Sequence, residues 1–323
     1  MELQGSEALV GIDWGTTHRR SYWLDAGGAL LAERGDSLGL LAAQGPGWFA
    51  QALDSALASF DGLPADAPVV MSGMVGSAQG WHAVPYLGLD VPLTALGAHL
   101  FPVPDAPANR RCAIVPGYAM RAADGTVDVM RGEETQLLGA LVLAAQQGRD
   151  GDGWYVLPGT HSKWVRLRGG RIERFSTFMT GELYALLSKH GTLAPLMSPS
   201  VPAPAASAND LRAAFDAGLR AAAQGSLSNT LFGCRARVVA GAMPAALAGD
   251  YVSGLLIGTE WHDALAREGS AGGRIERVWV LGAPALAERH AQAAAALGIE
   301  LATIEPNAAY LAALAHLSAN RRD

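Results

Sequence analysis

Residues 9–17, Leu-Val-Gly-Ile-Asp-Trp-Gly-Thr-Thr, form an apolar run that ends in an acid, a glycine and two hydroxyls. This order predicts a buried strand delivering the Asp13 carboxylate to the lip of a tight turn. Gly15 lets backbone approach a ligand with no side chain in the way. Thr16 and Thr17 add O–H and N–H donors for an anion. Alone, the stretch reads equally well as a strand entering an ordinary polar turn. Its recurrence shifts the balance. Ser21–Leu24, a break at Asp25-Ala26-Gly27-Gly28 and Ala29–Glu33 follow as a hairpin. The same series returns with Trp154–Leu157, the turn Pro158-Gly159-Thr160-His161, and Lys163–Arg168 and Arg171–Phe178 flanking Gly169-Gly170. Two copies imply two similar half-molecules whose loops face each other across a phosphate cleft.

The 323 residues, half of them hydrophobic, supply material for about two domains. A net charge of −6 argues against a general nucleic-acid surface. Lys163 and Lys189 are the two lysines, and Lys163 lies beside the second Gly-Thr loop. Cys112 and Cys234 have no CxxC or metal-site spacing and read as reduced, structural residues. Met1–Glu7 is acidic and polar, unlike a signal peptide. The apolar stretch near Leu137–Ala145 falls short of the ~20 residues that span a bilayer. A cytoplasmic protein without membrane partners is expected. The composition allows a homo-oligomer without specifying one.

Along the chain, Gly47–Phe60 has helical spacing and should cover the first sheet. Pro68–Ser72 reads as a parallel strand entering Gly73-Met74-Val75-Gly76-Ser77, a place for substrate contacts at a strand end. Met74, Gly76 and Ser77 are candidates there, with Trp81 and Tyr86 as walls for a sugar; an ordinary strand-to-helix connection is the bland reading. Residues 90–110 read as an irregular excursion and Cys112–Val115 as a returning strand. Gly132–Gln147 is an apolar, central helix whose first turn carries Glu133 and Glu134, where acids suit the helix dipole. Residues 194–208 form a Pro/Ala/Ser loop tract, and Leu211–Ala223 and Tyr251–Leu265 are helices. Gly254 and Gly258 give the latter a narrow face for close packing. Strand Arg277–Leu281, Gly282-Ala283-Pro284, a helix to Leu297, strand Glu300–Ile304 and helix Asn307–Leu317 close the chain.

Five stretches together resemble 2-dehydro-3-deoxygalactonokinases of the actin–hexokinase superfamily. They are Ile12–Thr17, Met71–Ser77 (MSGMVGS), Met130–Gly139 (MRGEETQLLG), Pro158–Val165 (PGTHSKWV) and Ser253–Glu260 (SGLLIGTE), in one order between about residues 9 and 316. The resemblance implies an α/β fold of two actin-like, ribonuclease H-like ATPase lobes with mixed sheets around an interlobe cleft. Residues 1–130 would form the N-terminal lobe, with the first phosphate loop and the sugar-binding part. Residues 131–323 would form the C-terminal lobe, with the second phosphate loop and the adenosine-binding part. It further implies ATP-dependent phosphorylation of the 6-hydroxyl of 2-dehydro-3-deoxy-D-galactonate, yielding the 6-phosphate and ADP. In resembling sugar kinases an acid at the start of the helix before the second phosphate loop serves as base, usually Asp. Here that acid is Glu133 or Glu134, with Glu133 slightly favoured. The Gly282-Ala283 segment corresponds to the one lying against adenosine.

The residues accommodate such chemistry. No GxxxxGK[ST], HExxH or GxSxG sequence is present, and no Ser/His/Asp triad assembles from position. Phosphoryl transfer needs positioning and charge neutralisation more than covalent help. Asp13 could hold Mg²⁺ through water, since Mg²⁺ dehydrates reluctantly. Gly15, Thr16 and Thr17 would cradle one side of the phosphates and Gly159 and Thr160 the other, with Lys163 neutralising charge. A lone His161 is more often structural than a base and enters as a member of the second loop. A sugar acid needs a cation for its carboxylate, and arginine makes bidentate pairs. Arg20 and Arg131 border the relevant motifs, with exposed salt-bridging arginines as the alternative. Another sugar or sugar acid on the same scaffold, or a non-catalytic nucleotide or sugar sensor, are the competing readings.

Overall fold

The computed structural model describes residues 8–45, 47–107, 110–122, 124–197, 206–270 and 272–319. Met1–Glu7 and the centre of the 194–208 tract fall outside them. In chain order the first elements are β1 (Leu9–Trp14), β2 (Arg19–Leu24), β3 (Leu30–Asp36), α1 (Trp48–Ala58), β4 (Val69–Gly73), β5 (Phe101–Pro102), β6 (Cys112–Ile114), β7 (Tyr118–Arg121), β8 (Val127–Met130) and α2 (Glu133–Gln146). Next come β9 (Gly153–Leu157), β10 (Ser162–Arg168), β11 (Arg171–Phe178), α3 (Thr180–Lys189), α4 (Ala194–Met197), α5 (Ala208–Ala222), α6 (Leu227–Val239) and α7 (Ala248–Ser270). The chain ends with β12 (Arg277–Leu281), α8 (Pro284–Ala296), β13 (Glu300–Ile304) and α9 (Pro306–Ala319).

Two compact units form: Met1–Asp152, Arg166–Phe175 and Ile304–Asp323 make the first, and Gly153–Val165 with Ser176–Thr303 the second. Thus α2 and α9 both lie in the first unit, where a boundary at 130/131 would have put them in the second. The cause is packing between elements far apart in sequence. At Gly139 of α2 an added Cβ would fall 1.6 Å from the Ala309 carbonyl oxygen of α9.

The first sheet has the order β3-β2-β1-β4-β6-β5. Strand β1 pairs antiparallel with β2 and parallel with β4. Alternation along β1 sends Val10, Ile12 and Trp14 to one face, where they meet Leu53, Leu57, Val69 and Met71 in a buried core. The opposite face carries Gly11 and Asp13, and α9 lies on it: a Cβ at Gly11 would sit 2.1 Å from Leu314 Cδ1.

The second sheet repeats the order, β11-β10-β9-β12-β13, with β9 and β12 parallel. Each sheet therefore runs hairpin, first strand, parallel strand, as the duplicated sequence pattern predicts. In the second unit Trp154, Val156, Val278 and Val280 pack with Phe215 of α5 and Ile257 and Trp261 of α7. Glycines let α5 and α7 meet backbone to backbone: a Cβ at Gly254 would lie 2.0 Å from the Phe215 carbonyl oxygen. The close-packing reading of Gly254 and Gly258 holds. Helices α3 and α6 and the β7/β8 hairpin lie where no element was expected, and residues 90–110 hold β5 and a 3₁₀ turn at Leu93–His99. Among the described residues no helix is long and apolar enough to cross a membrane.

Candidate active site

In the first unit, Asp13 is the penultimate residue of β1, with Arg20 directly across the β1/β2 pair and Ser72 beside it on β4. Register partners share a face, so the three project from the same side of the sheet. Burial pushes the Asp13 carboxyl up, and the Arg20 charge pulls it back. The following turn is tight. Gly15 N–H donates to the His18 carbonyl at 2.9 Å, and Gly15 and Thr16 carbonyls accept from Leu40 and Leu41. Thr16 and Thr17 are exposed at its tip.

Two glycines bring the helix-borne acids to this strand end. Gly73, with φ of 88°, leaves β4 where a Cβ would meet the Trp14 carbonyl oxygen at 2.7 Å. Gly132, with φ of 103°, precedes α2, and its Cβ would stand 3.2 Å from the Gly73 Cα. Both positions favour glycine for conformation and for space. Glu133 is partly exposed, and its Oε2 accepts from the Arg131 N–H at 3.1 Å. Glu134 is fully buried, accepting from the Gly132 N–H at 2.6 Å and from Thr135 Oγ1 at 3.1 Å. Burial, with the Glu133 charge adding to it, raises the Glu134 pKa to about 8.

Arg131 holds the third part of the site. Its Nη2 donates to the Val84 carbonyl at 2.6 Å, and its guanidinium lies 4.4 Å from the Tyr86 ring centroid. Arg131 Nε and Nη1 and Ser77 Oγ are buried without a hydrogen-bond partner. All three lie around Gly76, whose absent Cβ would be 2.7 Å from Arg131 Nη1. Met74 is partly buried on the same turn. Trp81 is placed differently: its indole N–H donates to Asp105 at 3.1 Å while its ring stacks on Phe49 and packs against the core.

In the second unit the Gly159-Thr160 turn is exposed after β9. It packs on the start of α3, since a Cβ at Gly181 would lie 2.2 Å from the Gly159 carbonyl oxygen. His161 Nε2 pairs with Glu182 at 2.7 Å. Lys163 is buried and its Nζ donates to Thr177 Oγ1 at 2.8 Å. Gly282 abuts Pro158, where a Cβ would come within 2.6 Å of the ring, and Ala283 caps α8 with an exposed side chain. A cavity of about 250 Å³ opens here, lined by Gly159, Ser162, Gly181, Leu286, Arg289 and His290 among others.

Behind this loop stands Glu260 of α7, an acid to which no role was given from sequence. It accepts from Ser162 Oγ at 2.7 Å, Trp164 Nε1 at 2.8 Å and Thr180 Oγ1 at 2.5 Å. His290 is buried beside it and accepts from Trp261 Nε1 at 3.1 Å; burial lowers its pKa, with Glu260 opposing. A lone acid in the apolar run Ser253–Glu260 was the signal that could have marked this hub, because buried charges are held by partners.

Like-ordered sheets, each with a Gly-Thr turn after its first strand, define a duplicated α/β fold with an exposed hydroxyl-bearing turn in each unit. The 2-keto-3-deoxy-galactonokinase family model matches residues 13–317. A Rhizobium meliloti (strain 1021) protein assigned as 2-dehydro-3-deoxygalactonokinase DgoK1 is 38% identical over 94% of both chains. The Escherichia coli (strain K12) 2-dehydro-3-deoxygalactonokinase is 34% identical, covering 96% of this chain and 98% of its own. A Sinorhizobium meliloti crystal structure of a protein assigned to the same activity superposes with a TM-score of 0.82 at 34% identity, covering 97% of this chain and 96% of that one. The chain belongs to the 2-keto-3-deoxy-galactonokinase family and is a sugar-acid kinase.

Proposed function

We propose that this enzyme transfers the γ-phosphoryl group of ATP to the 6-hydroxyl of 2-dehydro-3-deoxy-D-galactonate, releasing 2-dehydro-3-deoxy-6-phospho-D-galactonate and ADP. The observation that carries the acceptor assignment is Arg131. Its backbone N–H holds the Glu133 carboxylate, while its side chain and Ser77 keep three buried donors without acceptors. Buried donors are ordinarily paired, so the site calls for an acidic or carbonyl-rich ligand. The carboxylate and keto oxygens of a 2-dehydro acid supply such acceptors.

In this reading Glu133 is the proton acceptor, because it is the partly exposed member of the pair and so the one a substrate hydroxyl can meet. Glu134, fully buried and bonded to Gly132, holds the turn that presents it. Met74, Gly76, Ser77 and Tyr86 shape the sugar-acid site with Arg131, whereas Trp81, engaged with Asp105 and Phe49, is left out of it. Arg20 stands across from Asp13 and balances its charge as much as it serves the substrate.

Gly15, Thr16 and Thr17 in the first unit, and Gly159, Thr160 and His161 in the second, are the residues assigned to phosphate in this reading. Lys163 adds positive charge behind them, and Gly282 and Ala283 border the nucleoside. Among the described residues no cluster of three or more metal-ligating side chains occurs. Asp13 nonetheless suits Mg²⁺, which is commonly held by one or two carboxylates, waters and substrate phosphates. A poorly solvated carboxylate facing one arginine is under-compensated, and a divalent cation would complete it. When bound, Mg²⁺ supplies charge neutralisation at the phosphates.

A coupled ADP-release assay over 2-dehydro-3-deoxy acids and neutral sugars tests the reading. Turnover confined to neutral sugars would replace the acceptor assignment, and ATP binding without turnover would indicate a sensor.

A further inference from the structure

The face of the first sheet that bears Asp13 is covered by α9, and α9 contributes one polar side chain to its buried part. Tyr310 is 2% exposed, and its hydroxyl lies 2.9 Å from Ser72 Oγ, itself fully buried. Ser72 is the register partner of Asp13 on the parallel strand. The Tyr310 ring packs on Tyr22, 5.2 Å between centroids, and Tyr22 stands opposite Gly11 on the same face. Its own hydroxyl donates to Asn307 Oδ1 at 3.1 Å, one turn earlier on α9.

Space for this arrangement is cleared by glycines on two elements. Gly11 makes room on β1 for Leu314, and Gly139 makes room on α2 for the Ala309 backbone. Without them α9 would stand off, and a hydroxyl one residue past Ala309 would not reach Ser72. Small residues that seat a helix explain its docking; they do not explain a phenol–serine pair placed next to a candidate catalytic acid. An apolar contact would pack as well, and a buried polar pair is neutral to unfavourable for stability unless it is fully bonded.

We propose that Tyr310 is a positioning residue of the phosphoryl-transfer site, fixing Ser72 and through it the strand end that carries Asp13. The phenol keeps its proton, since burial and the nearby Asp13 and Glu134 charges hold its pKa well above the usual value. The two hydroxyls therefore keep their hydrogen bond throughout the working range, and either can donate. The inference rests on the kinase reading above and adds a residue from the far end of the chain to it.

The test is steady-state kinetics of Tyr310→Phe, Ser72→Ala and the double variant with ATP and 2-dehydro-3-deoxy-D-galactonate. Loss of the pair's net bonding should lower kcat about tenfold in each single variant while both KM values stay within about twofold. The double variant should lose no more than a single one, because the two hydroxyls act as one unit. Thermal denaturation of each variant separates this from unfolding. A Tyr310→Phe enzyme with wild-type kcat, or losses that multiply in the double variant, overturns the inference. So does a kcat that falls only in step with the folded fraction. Should the wild type turn over a neutral sugar alone, the acceptor assignment fails by itself and the same cycle is read on that sugar. A wild type without any turnover overturns both.

Discussion

The guanidinium carbon of Arg131 lies over the ring of Tyr86, 4.4 Å from its centroid, with one nitrogen held by the Val84 carbonyl. Ring and carbonyl fix the plane, so Nε and Nη1 are aimed before any ligand arrives. Arg131→Lys keeps the charge and loses the plane. Hydrogen bonds to charged groups are worth about 1.5–3 kcal/mol, which predicts a rise of roughly 10–100-fold in the sugar-acid KM. The ATP KM should stay within about twofold. Equal rises for both substrates would remove Arg131 from acceptor recognition.

Glu133→Gln should lower kcat by about 10²–10⁴-fold, the contribution of a positioned proton acceptor. Its amide can still accept from the Arg131 N–H, so the fold is kept. Glu134→Gln should cost less, because a fully buried carboxyl bonded to Gly132 is not offered to substrate. The reverse order in single-turnover rates would exchange the two roles.

The buried Glu134 also makes stability depend on pH. Its folded pKa is raised from 4.5 to about 8, so the native state keeps a proton that the unfolded chain has released between those values. Stability from this carboxyl is complete below the unfolded value and is lost as pH rises through about 8. Glu134→Gln resembles the protonated form and should remove that loss. Melting temperatures at about pH 5, 7 and 8.5 should therefore show the variant gaining on the wild type as pH rises. A constant difference would mean that Glu134 is ionised throughout.

Two glycine substitutions should act with opposite sign. At Gly139 the new methyl would collide with the Ala309 carbonyl, and two packed helices must separate. Overpacking against backbone predicts a loss of about 3 kcal/mol or more. Gly233 lies in α6 with nothing within 4 Å of an added Cβ, and its backbone needs no positive φ. There Gly233→Ala should stabilise by about 0.5–1 kcal/mol. Urea denaturation of both variants checks the pair.

Much of the chemistry was legible because it sits in short motifs. The turns at Gly15 and Gly159 follow buried strands and carry exposed threonines, as the order apolar–Gly–Thr implies. Strands β11, β12 and β13 have the bounds that alternation predicts. Partnerships between distant segments were not readable. Lys163, expected from its place beside the second loop to neutralise charge, is internal and bonded to Thr177, a partner that the sequence does not announce. Trp81 gives its N–H to Asp105. The unit boundary eluded the sequence because α2 is claimed by α9, more than 150 residues later, through a glycine contact that has no periodic signature. Helix α3 has no fully buried residue along Thr180–Lys189; only Leu183 and Leu187, one turn apart and partly buried, pack on the core, a stripe too short to mark a helix.

Glu260 ties three donors from β10 and the start of α3 to α7, and these flank the Gly159-Thr160 turn. Truncation in Glu260→Ala would leave the Ser162, Trp164 and Thr180 donors buried and unpaired, at about 1–3 kcal/mol each before relaxation. That variant should express poorly or melt early. Glu260→Gln is the sharper probe, since its single carbonyl oxygen can serve Ser162 and Trp164, while its amide makes the Thr180 hydroxyl turn from donor to acceptor and removes the charge that strengthened that bond. The α3 end of the loop should loosen, raising the ATP KM about fivefold to tenfold with the sugar-acid KM near wild type. Calorimetric titration of ATP into both proteins reads the same change directly. An unchanged ATP affinity in a folded Glu260→Gln enzyme would confine this carboxylate to holding the second core together.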